Sequence, residues 1–79
     1  MNQNELFQLL ALALEISSES LDIDSGNKTI TKWDSLGMIS IGVAIESACD
    51  IQLSTDEIAS LTSVQDIVSV LKKKGVWSE

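Results

Sequence analysis

The stretch that most constrains this chain is the apolar run Gly37-Met38-Ile39-Ser40-Ile41-Gly42-Val43-Ala44-Ile45, opened by Trp33-Asp34-Ser35-Leu36. A loop of polar composition ends here and a helix begins. Asp34 and Ser35 are both N-cap residue types, because their side-chain oxygens accept bonds from first-turn N–H groups that have no helical partner. By spacing alone Ser35 reads as a cap. A serine hydroxyl on a first turn has a second use, since a phosphate ester formed on it places its charge at the positive end of the helix dipole.

The helix is expected from Ser35 to about Ala48, and it carries two apolar stripes. Met38, Ile41, Ile45 and Cys49 step by three or four and form a core-facing stripe, which predicts a buried, inert thiol at Cys49. Leu36, Ile39 and Val43 form another, interrupted by Ser40 and Ser47. One stripe suffices for packing, which leaves the second for a ligand or a partner. The alternative is a bundle that buries both stripes.

The rest of the chain supplies the elements this helix packs on. Leu6, Leu9, Leu10, Ala13 and Leu14 make a stripe on a first helix, capped by Asn2 or Asn4 and ending near Ile16 to Ser18. Residues 18–33 lose periodicity to Ser, Asp, Gly, Asn and Thr, which predicts a long loop pinned by Leu21, Ile23 and Ile30. Asp22-Ile23-Asp24-Ser25-Gly26-Asn27 resembles a calcium loop only superficially: the glycine falls one place early, and Trp33 stands where the closing Glu belongs. Ser54-x-x-Glu57 is a capping box for a short helical turn, and Ser63-x-x-Asp66 starts a last helix with the stripe Val64, Ile67, Val68 and Leu71. Lys72 to Lys74 and Gly75 suit its C-terminal end. The expectation is one all-α domain over residues 1–79: a bundle of three main helices and one short helix, with a long loop between helices 1 and 2.

Charge and residue inventory exclude several function classes. Twelve acidic residues against five lysines and no arginine give a formal net charge of −7, which disfavours nucleic acid and anionic membrane as partners. Histidine, the commonest neutral-pH general base, is absent, and nothing arranges the carboxylates and lysines for catalysis. No enzyme is expected. The lone Cys49, the lack of a basic start and the short apolar runs predict a cytoplasmic monomer without membrane insertion.

Asp34-Ser35-Leu36 opening a helix, Glu46 about three turns later and Ile51-Gln52-Leu53-Ser54-Thr55-Asp56-Glu57 beyond it together resemble the acyl carrier protein family, over roughly residues 6–71. That resemblance implies an acyl-carrier-like bundle of stand-alone type in which Ser35 carries 4′-phosphopantetheine. A phosphopantetheinyl transferase would attach the arm from coenzyme A with magnesium, and the arm's thiol would hold acyl groups as thioesters. The implied arm and partner contacts are Asp34, Leu36, Met38, Ile39, Val43 and Glu46. The implied partners are the transferase, an acyl-loading ligase or transferase, and downstream synthase enzymes.

The chain departs from the family's pattern in two places. Gly37, Ser40, Ser47 and Ala48 stand where fatty-acid carriers have acidic docking residues, and Trp33 replaces a small residue before the motif. Both departures point to a specialised fatty-acid-like or polyketide-like pathway rather than the ordinary fatty-acid synthase. Trp33 has an alternative role as a plug under the loop. A D-alanyl or other aminoacyl carrier is the nearest rival. From another class, the chain could be an unmodified helical module that binds a partner through the second stripe.

Overall fold

The first helix, α1 (Gln3–Leu14), begins where the Asn2 side chain accepts the Glu5 N–H at 2.8 Å and the Glu5 carboxylate accepts the Asn2 N–H at 3.1 Å. In the computed structural model, which describes residues 1–78, three further helices follow: α2 (Ser35–Cys49), α3 (Thr55–Ala59) and α4 (Val64–Lys73). The fold is thus a small all-helical bundle of three main helices and one short one, with the expected long loop between the first two.

α1 ends earlier than the apolar spacing predicts. Glu15 turns left-handed at φ 57°, and the Ile16 N–H reaches back to the Ala11 carbonyl at 3.0 Å. α2 stops in the same way at Asp50, with φ 54° and a bond from Ile51 N–H to the Glu46 carbonyl. An acidic residue therefore occupies the position where glycine is the usual helix stop. α4 does end on a left-handed glycine, Gly75.

α1 and α2 run antiparallel. Leu14 abuts Gly37 at the start of α2, while Leu9 and Leu12 border the same hollow as Ala48 near its end. The core between the helices is built from Leu6, Leu10 and Leu14 of α1, Ile41 and Ile45 of α2, Val64, Ile67 and Leu71 of α4, and Leu21, Trp33 and Leu61 from the connections. At about 1.5–3 kcal/mol for each fully buried aliphatic side chain, this cluster is the main term opposing chain entropy. Leu9, Ala13 and Val68 lie at its edge.

The long loop is strapped down by backbone bonds as much as by apolar anchors. The Asn27 N–H donates to the Thr62 carbonyl and the Val64 N–H to the Ser25 carbonyl, both at 2.9 Å, around an isolated bridge between Gly26 and Ser63. Gly26 allows this approach, because a Cβ there would stand 2.6 Å from the Thr62 carbonyl oxygen. Leu21 and Ile30 pack inward as expected. Ile23 does not: it is exposed, because the tight turn closed by Ser25 N–H on the Asp22 carbonyl directs it outward. A 3-10 turn over Ser18–Ser20 adds local order that the sequence did not suggest.

Both serine caps downstream form. Ser54 and Glu57 make the reciprocal box. Ser63 accepts the Asp66 N–H, but the Asp66 carboxylate takes the Thr62 hydroxyl instead of returning to Ser63, so that box is half made.

Candidate functional site

The N-terminus of α2 divides its two polar residues between two jobs. The Asp34 Oδ1 accepts the Gly37 N–H at 2.8 Å and is the cap. Ser35 is the first helical residue, is exposed, and its hydroxyl takes part in none of the hydrogen bonds among the described residues. The capping reading of Ser35 gives way here: Asp34 does that work, and the Ser35 hydroxyl is left unengaged on an exposed residue.

Trp33 fixes the approach to this point. Its side chain is fully buried, and its indole Nε1 donates to the Leu61 carbonyl at 2.8 Å. Its N–H also closes the preceding turn on the Ile30 carbonyl. The plug role is the one the structure displays. Gly37 locks the other side, since a Cβ would fall 2.4 Å from the Lys32 carbonyl oxygen and 2.9 Å from Leu14 Cδ2. A side chain of any kind at position 37, acidic or not, has no room.

Beside Ser35 lies an apolar cleft of about 260 Å³ between α2 and α3, bordered by Ser35, Met38, Ile39, Thr55, Ile58 and Ala59. Met38 is half-buried rather than a full core residue, because one flank of it forms this wall. Thr55, Ile58 and Ala59 were not legible as site residues. The signal that could have found them is Gly42 in mid-helix, an indication of close approach. Ile58 lies against it, 3.1 Å from where a Cβ would be.

The second stripe of α2 is solvent-facing: Leu36 is 75%, Ile39 52% and Val43 56% exposed. The structure gathers Ser35, Met38 and Ile39 at the cleft, with Asp34 and Leu36 flanking the serine in the chain. Val43 and Glu46 are not part of that cluster. Val43 borders a separate groove against α1. The Glu46 carboxylate accepts the Leu53 N–H at 2.8 Å and so holds the α2–α3 connection. Cys49 is half-buried and borders an open hollow with Met1, Val76 and Glu5 of α1, which corrects the expectation of full burial: the hollow leaves one side of it uncovered.

Electrostatically the site is sparse. Asp34 is the lone acidic side chain at this helix start, and no acidic or basic residue follows until Glu46. Among the described residues no cluster of three or more His, Cys, Asp or Glu could hold a metal ion, and no helix is long and apolar enough to cross a membrane. No protein-family model, curated protein or solved structure matches this chain.

Proposed function

We propose that this protein is an acyl carrier, with 4′-phosphopantetheine attached to Ser35 and acyl intermediates held on the arm as thioesters. The observation that carries the reading is the unengaged, exposed Ser35 hydroxyl on the first turn of α2, relieved of capping by Asp34 and adjoining an apolar cleft. A phosphodiester at that oxygen would sit at the positive end of the helix dipole, an arrangement worth about 0.3–1 kcal/mol at an exposed site. In the attachment step the Ser35 oxygen bonds to the arm's phosphorus, the adenosine bisphosphate portion of coenzyme A leaves, and the hydroxyl proton passes to the transferase. When bound, the arm supplies the thiol; Asp34 and Gly37 keep the attachment point rigid, and Leu36, Met38 and Ile39 offer apolar surface beside it.

On this reading the protein does no catalysis itself. It works in the cytoplasm with a phosphopantetheinyl transferase, an acyl-loading ligase or transferase and synthase enzymes of a specialised pathway. The lack of room for any side chain at position 37 and the uncharged outer face of α2 fit a carrier whose partners do not rely on rows of basic residues. An aminoacyl carrier shares every one of these features and differs only in cargo. The exposed stripe Leu36, Ile39 and Val43 favours a second reading, an unmodified interaction module.

Intact mass after incubation with a promiscuous transferase, coenzyme A and magnesium separates the two. A carrier gains one phosphopantetheine on the wild type and none on Ser35→Ala, while the variant keeps its helicity because Asp34 still caps α2. A wild type that stays at its sequence mass, or a modified Ser35→Ala, rejects the carrier reading.

A further inference from the structure

We propose that the groove between α1 and α2 docks an amphipathic helix from a partner protein, one with an apolar edge and basic residues flanking it. This groove shares Ile39 with the cleft beside Ser35 but does not include the serine, and it does not depend on the carrier reading. Its main hollow measures about 710 Å³ and adjoins a second of about 570 Å³, the two sharing Leu9, Leu12 and Ala48 as borders. Leu12 is 82% exposed, the most exposed large apolar side chain of the protein's described residues, and it faces the same groove as Val43. The floor is small: Ala13, Ala44 and Ala48 let another backbone come close.

Length and charge select the occupant. Along α2 the main hollow extends from Ile39 to Ala48, a rise of about 14 Å or between two and three helical turns. That matches the reach of apolar anchors at i, i+3 or i+4, and i+7 on one helix. The main hollow has no charged side chain among its borders, so its centre rewards apolar contact alone. An acidic residue, Glu5, borders the adjoining hollow. None of the five lysines borders either hollow. A basic flank on the incoming helix would meet this acid and be steered by the net charge of −7. A second copy of this chain would bring the same acid and the same net charge, which oppose its approach.

A fluorescein-labelled Leu/Lys peptide of about five helical turns, with leucines on one stripe, is the probe. Anisotropy should show saturable binding that weakens with salt, and amide shifts should centre on Leu12, Val43 and Ala48. Leu12→Ser/Val43→Ser should lower affinity about tenfold, the loss expected of central apolar anchors. Both sites are exposed, so the double variant should keep the wild-type circular dichroism, and Leu12→Ser alone should show part of the effect. Ser35→Ala should bind as the wild type does. Equal binding by a peptide of the same composition without the stripe, shifts confined to another face, or indifference to the double variant would each overturn the proposal. Sedimentation of the protein alone adds a further arm: a dimer that strengthens with salt and is lost in the double variant would assign the groove to a second copy instead.

Discussion

The indole of Trp33 and the carbonyl of Leu61, 28 positions apart, are joined by a buried hydrogen bond of 2.8 Å. One end of this bond lies two residues before Ser35 and the other lies between α3 and α4. The start of α2 is therefore tied to the connection between α3 and α4. Trp33→Phe keeps most of the apolar volume but leaves the buried Leu61 carbonyl without its donor, at a cost of about 1–3 kcal/mol. The expected drop in melting temperature is on the order of 10 °C for a domain of this size. A melt unchanged within about 2 °C would show that water or the backbone replaces the indole.

The two stripes of α2 should respond in opposite ways. Ile45 is fully buried, so Ile45→Ala should lose about 2–5 kcal/mol in urea unfolding. Ile39 is half exposed, so Ile39→Ala should cost well under that, and Ile39→Glu should still fold, since its carboxylate can stay in water. On the carrier reading both Ile39 variants retain the stability to be modified at Ser35, and Ile39→Glu slows the enzymes that load or unload the arm. Unfolding of Ile39→Glu would place that side chain in the core instead.

Two glycines on the same helix should part company. Replacing glycine by alanine in a helix gains about 1 kcal/mol in propensity. At Gly37 the new methyl meets the Lys32 backbone oxygen at 2.4 Å, a contact only a backbone shift can relieve, and such overpacking costs about 1–3 kcal/mol. At Gly42 it meets atoms of the Ile58 side chain at 3.1 Å and beyond, which a small rotation on the short helix α3 can relieve. Urea midpoints should fall for Gly37→Ala and stay near wild type for Gly42→Ala. The reverse order would contradict the packing described.

Glu57 gives the stability its clearest acid dependence. The Ser54 N–H, bonded to its carboxylate at 2.8 Å, holds its pKa below the ordinary value of 4.5, and Lys74 at 3.1 Å adds to this. A depressed carboxylate pKa means that its stabilisation is fully present above 4.5, where the unfolded chain is ionised too, and is lost as pH falls through the folded value. Glu57→Gln should therefore be less stable than wild type at neutral pH, with the gap closing under acid conditions. Because the ion pair is reached by solvent, Lys74→Ala should matter less than Glu57→Gln. A gap that persists undiminished in acid would assign the effect to shape rather than charge.

Helix positions and the identity of the core were legible because they follow from local spacing. Leu6, Leu10, Ile41, Ile45, Ile67 and Leu71 recur at the period that puts them on one face, and that face had to be buried somewhere. The Asn2, Ser54 and Ser63 caps were equally local, each needing a partner only three residues away. The exposed stripe of α2, Leu36, Ile39 and Val43, was legible as the second stripe, with Ile41 and Ile45 on the core-facing one. What tertiary structure decided involves partners distant in sequence. It turned Ile23 out and Trp33 in, left Cys49 half-covered, engaged Glu46 with Leu53, and brought Ile58 of α3 against Gly42 to make a cleft beside Ser35. It also gave the cap to Asp34 and left the Ser35 hydroxyl unengaged, although both residues are capping types. Periodicity records which face of a helix is apolar; which neighbour meets that face, and how closely, depends on packing between segments whose separation along the chain carries no local signal.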